Sequence, residues 1–208
     1  MKIYAISGLG SDDRVFTRLQ KQIDFEVIAW KDPIPKEPLS DYARRMAEEI
    51  DDSSPFILMG LSFGGVVAQE ICQFLKPEKL ILLSSLRHQD ELQPLIKLVK
   101  HLGIVEHVPL PVLRPPFVLA KYYFGAEDTV MLKGLIADMD LKLVKWSIVA
   151  LLNWKAKPVD VETIRIHGTA DRLLYHQEDA ISIECGHHMM VHDMAEEVAK
   201  IFIKRFSC

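Results

Sequence analysis

A serine flanked by small residues, Gly60-Leu61-Ser62-Phe63-Gly64-Gly65, directly follows the apolar run FILM and directly precedes a helical pattern with Val66, Val67, Ile71 and Phe74. The G-x-S-x-G spacing in a strand-turn-helix context presents a serine hydroxyl at the carboxyl edge of a sheet, ready to attack a carbonyl carbon. The glycines meet a steric need: the turn strains the serine backbone, and side chains at Gly60 and Gly64 would collide with the neighbouring strand and helix. The helix that begins there aims free N–H groups and the positive end of its dipole at the reaction centre, where negative charge develops. An ordinary N-cap serine in a glycine-rich turn is the alternative, and the strand-turn-helix context speaks against it.

A serine hydroxyl is a weak nucleophile until a histidine takes its proton, and that histidine needs a carboxylate to fix its tautomer. Of the eight histidines, His187 and His188 stand just past a candidate last strand, in Ser182-Ile183-Glu184-Cys185-Gly186-His187-His188-Met189. His187 immediately follows Gly186, whose small size lets the loop approach the serine, and is the expected base. His188 is expected beside it in a supporting or structural place, with His176 and His192 exposed or capping. For the acid, the run TIRIH leads into Gly168-Thr169-Ala170-Asp171, which sets Asp171 in a turn at the carboxyl end of a strand. Taken alone, an Asp in such a turn reads as an Asx-type cap bonding its own backbone. Asp90, soon after the run KLILLS, is a second candidate. Acyl transfer also needs two N–H donors for the oxyanion. Phe63 supplies one, and Leu9, in the glycine-bearing loop Ser7-Gly8-Leu9-Gly10-Ser11, is expected to supply the other.

Short β-branched runs alternating with segments of helical period must position these groups, and that alternation marks a parallel sheet covered by helices. Candidate strands are residues 2–6, 25–30, 56–59, 79–84, 163–167 and 180–184. A Pro-rich loop (Pro33, Pro35, Pro38) precedes a helix opening at Ser40, whose Tyr42, Ala43, Met46, Ala47 and Ile50 form its buried face. A last helix is expected to open at Asp193, with Glu196 completing a capping box and Val198, Ile201, Phe202 and Phe206 turned inward. Residues 86–157 break the rhythm with a helical patch, a bend at Pro109, Pro111, Pro115 and Pro116, and more helix. They read as an insertion over the sheet, within one domain spanning residues 1–208.

The 208 residues, 49% of them hydrophobic, suffice for one sizeable core. A net charge of −4 with Lys and Arg dispersed among Asp and Glu leaves no electrostatic footprint for nucleic acid. Three cysteines, Cys72, Cys185 and Cys208, without CxxC spacing argue against a disulfide framework or a zinc site and for a reducing, cytoplasmic compartment. The N-terminal apolar run is too short for a signal peptide, and no stretch approaches the roughly 18 apolar residues of a membrane span. HExxH, P-loop and GxGxxG patterns are absent, so no cofactor or metal is expected. The sequence is silent on oligomeric state.

With its three loops in place, the chain resembles the α/β-hydrolase superfamily over nearly its whole length, the insertion excepted. The chain order Ser62, Asp171, His187 is that family's order of nucleophile, acid and base, and it decides for Asp171 over a plain cap. The resemblance implies a mainly parallel six-stranded sheet with helices on both faces, a triad of Ser62, Asp171 and His187, and an oxyanion hole at Leu9 and Phe63. It also implies that residues 86–157 form a lid. Tyr122, Tyr123, Phe124 and Trp146 in that lid would line an apolar pocket for a small hydrophobic ester or thioester. Two departures stand out: Ser7-Gly8 replaces the His-Gly of many members, and the first strand here corresponds to the third of a full-length member. The implied activity is carboxylic ester hydrolysis through an acyl-enzyme. The same site also suits C–C hydrolysis, lyase chemistry or acyl transfer, and a non-catalytic binding member would have no need of an intact triad.

Overall fold

The computed structural model describes residues 1–94, 96–98, 103 and 105–206, together with every side chain among them except that of Phe206. The expected places of the Phe206 side chain and of Cys208 lie outside these described residues.

All six predicted strands form: β1 (Lys2–Ile6), β2 (Glu26–Ile28), β3 (Phe56–Leu61), β4 (Lys79–Leu83), β5 (Glu162–Gly168) and β6 (Ile181–Ile183). They make one sheet in the order β2-β1-β3-β4-β5-β6, with every pairing parallel. A parallel sheet must be covered on both faces, and the strands are apolar on both. Ala5, Ile57, Met59, Leu61, Ile81 and Leu83 point into one core, while Tyr4, Ile6, Leu58, Leu80 and Leu82 point into the other. This is the period-two alternation of a strand, here buried on each side.

The second core is closed by α1 (Leu39–Ala47) and α2 (Phe63–Ile71). The expected face of Tyr42, Ala43, Met46, Ala47 and Ile50 is buried, with Ile50 just past the end of α1. Two short 3-10 turns, Asp13–Phe16 and Leu19–Lys21, link β1 to β2 and bury Val15, Phe16 and Leu19 in the first core. Between β4 and β5 the chain makes two more 3-10 turns at the proline bend, Val105–His107 and Leu110–Leu113, followed by α3 (Phe117–Phe124), α4 (Thr129–Asp138) and α5 (Leu141–Asn153).

The last helix differs from expectation. Residues Met190–Asp193 form a separate turn, α6, and the long helix α7 runs Ala195–Phe206. Asp193 does not open α7: it ends α6, and its carboxylate Oδ2 accepts the N–H of Glu127 at 3.0 Å. Val198 and Phe202 are buried as expected, and Ile201 packs against the same core. Among the described residues, no helix is long and apolar enough to cross a membrane.

Candidate active site

Ser62 occupies the junction of β3 and α2 with φ 53° and ψ −121°, a positive-φ conformation that side-chain-bearing residues avoid. The surroundings over-determine it. Its N–H donates to the Leu83 carbonyl at 2.9 Å, while its own carbonyl accepts from the Gly65 N–H at 3.0 Å and from the Ser85 hydroxyl at 2.6 Å. The two flanking glycines are required by close approach: a Cβ on Gly60 would strike the backbone of Gly64 and Gly65, and one on Gly64 would strike that of Ile6 and Ser7. Strain at Ser62 is thus held in place by packing that tolerates no side chain.

The histidine that stands against Ser62 is His188, not the expected His187. His188 Nε2 lies 3.0 Å from Ser62 Oγ, and its Nδ1 lies 2.8 Å from Asp171 Oδ2. The ring is buried. Because an ionised carboxylate only accepts, the proton belongs on Nδ1, and the Nε2 lone pair is free to accept the Ser62 hydroxyl proton. His187 instead turns away: its Nδ1 is 2.8 Å from the Ala170 carbonyl, and its ring fills the space beside Gly125, where a Cβ would collide with it. Gly186 acts differently from the reading that favoured His187. It packs its backbone on Gly168 and donates to the Ile183 carbonyl at 3.0 Å, so the loop turns before the histidines and presents the second of them.

Asp171 uses its two oxygens differently. Oδ1 caps its own turn, accepting the Leu173 and Leu174 N–H groups at 2.8 and 2.9 Å, while Oδ2 faces His188. Burial alone would raise this carboxyl. The charge of His188 and the hydrogen bonds from His167, His188 and the Leu174 N–H outweigh that effect and hold the group well below the usual carboxylate range. Asp90 is excluded by position: its carboxylate is 79% exposed and pairs with His88 Nδ1 at 3.0 Å. His176 lies on the surface within 3.0 Å of the Ser182 hydroxyl. His192 is buried, with Nε2 3.4 Å from Asp128 Oδ2.

Leu9 and Phe63 both line the cavity into which Ser62 opens. Phe63 is the first residue of α2, so its N–H is one of the donors that a helix start leaves without an intrahelical partner. The Leu9 loop lacks the histidine of the His-Gly pattern, and other groups brace it. The Trp30 indole N–H donates to Ser7 Oγ at 2.8 Å and to the Ser11 carbonyl at 3.1 Å, and the Ser7 hydroxyl donates to that same carbonyl at 3.0 Å. The Trp30 ring stacks on Phe63 at 5.9 Å, tying the two loops to one another. The only sequence signal for this brace was a tryptophan at the end of a strand.

The cavity has a volume of about 230 Å³ and is walled by Leu86, Leu92, Leu132, Leu135, Met139 and Met189, among other apolar residues. Of the four aromatics expected there, only Phe124 lines it, with its ring 5.8 Å from that of His188. Tyr122 and Tyr123 are 56% and 40% exposed and pack on each other, with Arg172 over Tyr122. Trp146 faces a separate groove and packs on Tyr42 and Phe63. The end of α3 is stitched to the histidine loop: the Met189 N–H donates to the Phe124 carbonyl at 3.2 Å, beside the Glu127–Asp193 and Asp128–His192 contacts. Among the described residues, no group of three or more His, Cys, Asp or Glu is arranged to hold a metal ion.

No curated protein matches the sequence. A thermophilic esterase from Thermogutta terrifontis superposes with a TM-score of 0.78 at 15% identity, covering 100% of this chain and 89% of its own. MenH from S. aureus gives 0.72 at 13%, covering 100% and 95%, and YbtT, a type II thioesterase from the yersiniabactin pathway, gives 0.63 at 15%, covering 99% and 92%. At such identities the likeness is one of fold. The model of the Alpha/beta hydrolase family matches residues 6–201, nearly the whole chain, and it spans Ser62, Asp171 and His188 alike. The chain therefore belongs to the Alpha/beta hydrolase family.

Proposed function

We propose that the protein is a serine hydrolase that cleaves a small hydrophobic carboxylic ester or thioester. The observation that carries this reading is the unbroken chain from Ser62 Oγ through His188 to Asp171, at 3.0 and 2.8 Å, opening into an apolar cavity. His188 Nε2 takes the hydroxyl proton as Ser62 Oγ attacks the carbonyl carbon, and Asp171 stabilises the imidazolium. The N–H groups of Leu9 and Phe63 receive the oxyanion. His188 then gives its proton to the departing alcohol or thiol, leaving an acyl-enzyme on Ser62. Water, activated by the same histidine, releases the acid and restores the serine.

The substrate class follows from the walls. Among the described residues, His188 contributes the one ionisable side chain to the lining, so a charged acyl or alcohol group would lose hydration without gaining a partner from them. The volume suits a short aliphatic group. Residues 86–157 act as the lid that sets this shape, since Phe124 and residues of α4 and α5 stand over Ser62. The free thiols of Cys72 and Cys185 suit a reducing, cytoplasmic setting.

Hydrolysis of p-nitrophenyl acetate and butyrate by wild type and Ser62→Ala tests the reading. A loss of about 10³-fold or more is expected in the variant. Equal rates in the two proteins would remove the proposal. Labelling by a fluorophosphonate probe checks the nucleophile independently of the substrate chosen.

A further inference from the structure

Asp171 carries a second histidine. His167, the sixth residue of β5, is 1% exposed, and its Nε2 lies 3.0 Å from Asp171 Oδ2, the same oxygen that faces His188. Nε2 also lies 2.9 Å from the Leu174 carbonyl. Both neighbours are acceptors, so Nε2 bears a proton and shares it between them. The buried carboxylate thus receives four donors: two backbone N–H groups on Oδ1 and two imidazole N–H groups on Oδ2. A triad needs only the donor from the base. The other groups facing His167 are His176, its ring 6.0 Å away at near right angles, and Arg165, two residues back on the same face of β5. Arg165 is committed to Glu91 and Asp179.

An acceptor shared between two donors is a weaker partner for each. The N–H of His167 also brings the positive end of its dipole to Oδ2, the atom that faces His188. From this geometry we infer that His167 is a positioning residue that sets the proton affinity of His188 through the shared Oδ2. The inference rests on Ser62, His188 and Asp171 acting as the hydrolytic triad. His167 holds Oδ2 and moderates the pull of the carboxylate on the imidazolium, so the base stays unprotonated to lower pH. The backbone bonds on Oδ1 keep Asp171 in place when His167 is replaced, so its removal acts on charge more than on position.

The test follows the titration of the His188 ring by ¹H–¹⁵N NMR together with the pH profile of kcat/KM on p-nitrophenyl butyrate. In His167→Phe, which fills the ring's space and gives no donor, the His188 midpoint and the acid limb of the profile are expected to rise together by about half a pH unit or more. Rates above pH 9 are expected to stay within about threefold of wild type. His167→Gln restores an amide N–H near Nε2 and is expected to bring both values back toward wild type. Should the Phe variant not fold, the smaller His167→Leu, whose side chain carries no polar atom, supplies the donor-free arm. A midpoint that stays or falls in the donor-free variant, or a Gln variant that behaves like it, overturns the inference. If wild type hydrolyses no ester, the hydrolase reading fails by itself, and the NMR titration still decides the role of His167.

Discussion

The two sides of the cavity are built on different terms. On the sheet side nearly every polar atom near Ser62 is spent: its N–H and carbonyl are fixed by Leu83, Gly65 and Ser85, and both oxygens of Asp171 are filled. On the insertion side the wall is hydrocarbon, with Leu132, Leu135, Ile136, Met139 and Leu151 offering contact area and no directional bond. Directional bonds fix atoms to fractions of an ångström, as chemistry demands, whereas apolar packing tolerates exchange of side chains of similar volume. Under the proposed function, the sheet edge would govern whether a bond is broken, and the segment between β4 and β5 which molecule presents it.

Substitutions on each side can break or sharpen this contrast. The largest effect is expected at the pair of adjacent histidines: His188→Ala loses about 10³-fold or more in kcat, while His187→Ala stays within about tenfold. Measuring both variants on one ester decides the assignment, and the reverse pattern would return the base to His187. A smaller effect is expected in stability against acid. The Asp171 carboxyl is depressed below its ordinary value of 3.8 in the folded protein, so its contribution is complete above that pH. As pH falls below 3.8 the unfolded chain takes up the proton first, and the contribution drains away toward the lower folded value. Thermal melts between pH 6 and pH 2, taken as about one-unit steps, are expected to show a steeper acid decline for wild type than for Asp171→Asn. Parallel declines would mean that this carboxylate is not held as its contacts imply.

The smallest effect belongs to the wall. Met139→Ala enlarges the cavity without touching Ser62, His188 or Asp171. The preference for p-nitrophenyl hexanoate over acetate, read as a ratio of kcat/KM, is expected to rise by about three- to tenfold. Fluorophosphonate labelling of Ser62 is expected to keep the wild-type rate. A slowed labelling rate would show that the two sides of the cavity are less separable than their bonding suggests.

This division also explains what was legible in the sequence. The strands could be read because short apolar runs such as FILM and KLILLS alternate with segments of helical period, and the elbow because G-x-S-x-G stands between such a run and a helical pattern. Asp171 could be placed at a strand end. The choice between His187 and His188 could not, since adjacent positions share every argument from spacing. The loop's own conformation decides it, through Cys185 at φ 58°, Gly186 seated on Gly168 and the His187 ring against Gly125. His167 gave no signal because its partner, Asp171, becomes a four-donor hub only when β5, its turn and the histidine loop meet. The aromatics misled for another reason: α3 reads FVLAKYYF, apolar on nearly all sides, so its pattern does not mark which face turns inward. In the folded chain Phe124 faces the cavity, while Tyr122 and Tyr123 face solvent.

The stitch between the end of α3 and the histidine loop bears on how such a protein is redesigned. An exchange of the whole stretch between β4 and β5 for that of another member would appear to replace only pocket walls. It would also remove the Phe124 carbonyl, the Glu127 N–H and the Asp128 carboxylate, the partners of Met189, Asp193 and His192 just beyond His188. A graft that changes the flanking helices but keeps residues 124–128 retains these anchors. For transplanting specificity, the natural seams therefore lie on either side of this five-residue clasp, inside the insertion, and not at the strand ends that bound it.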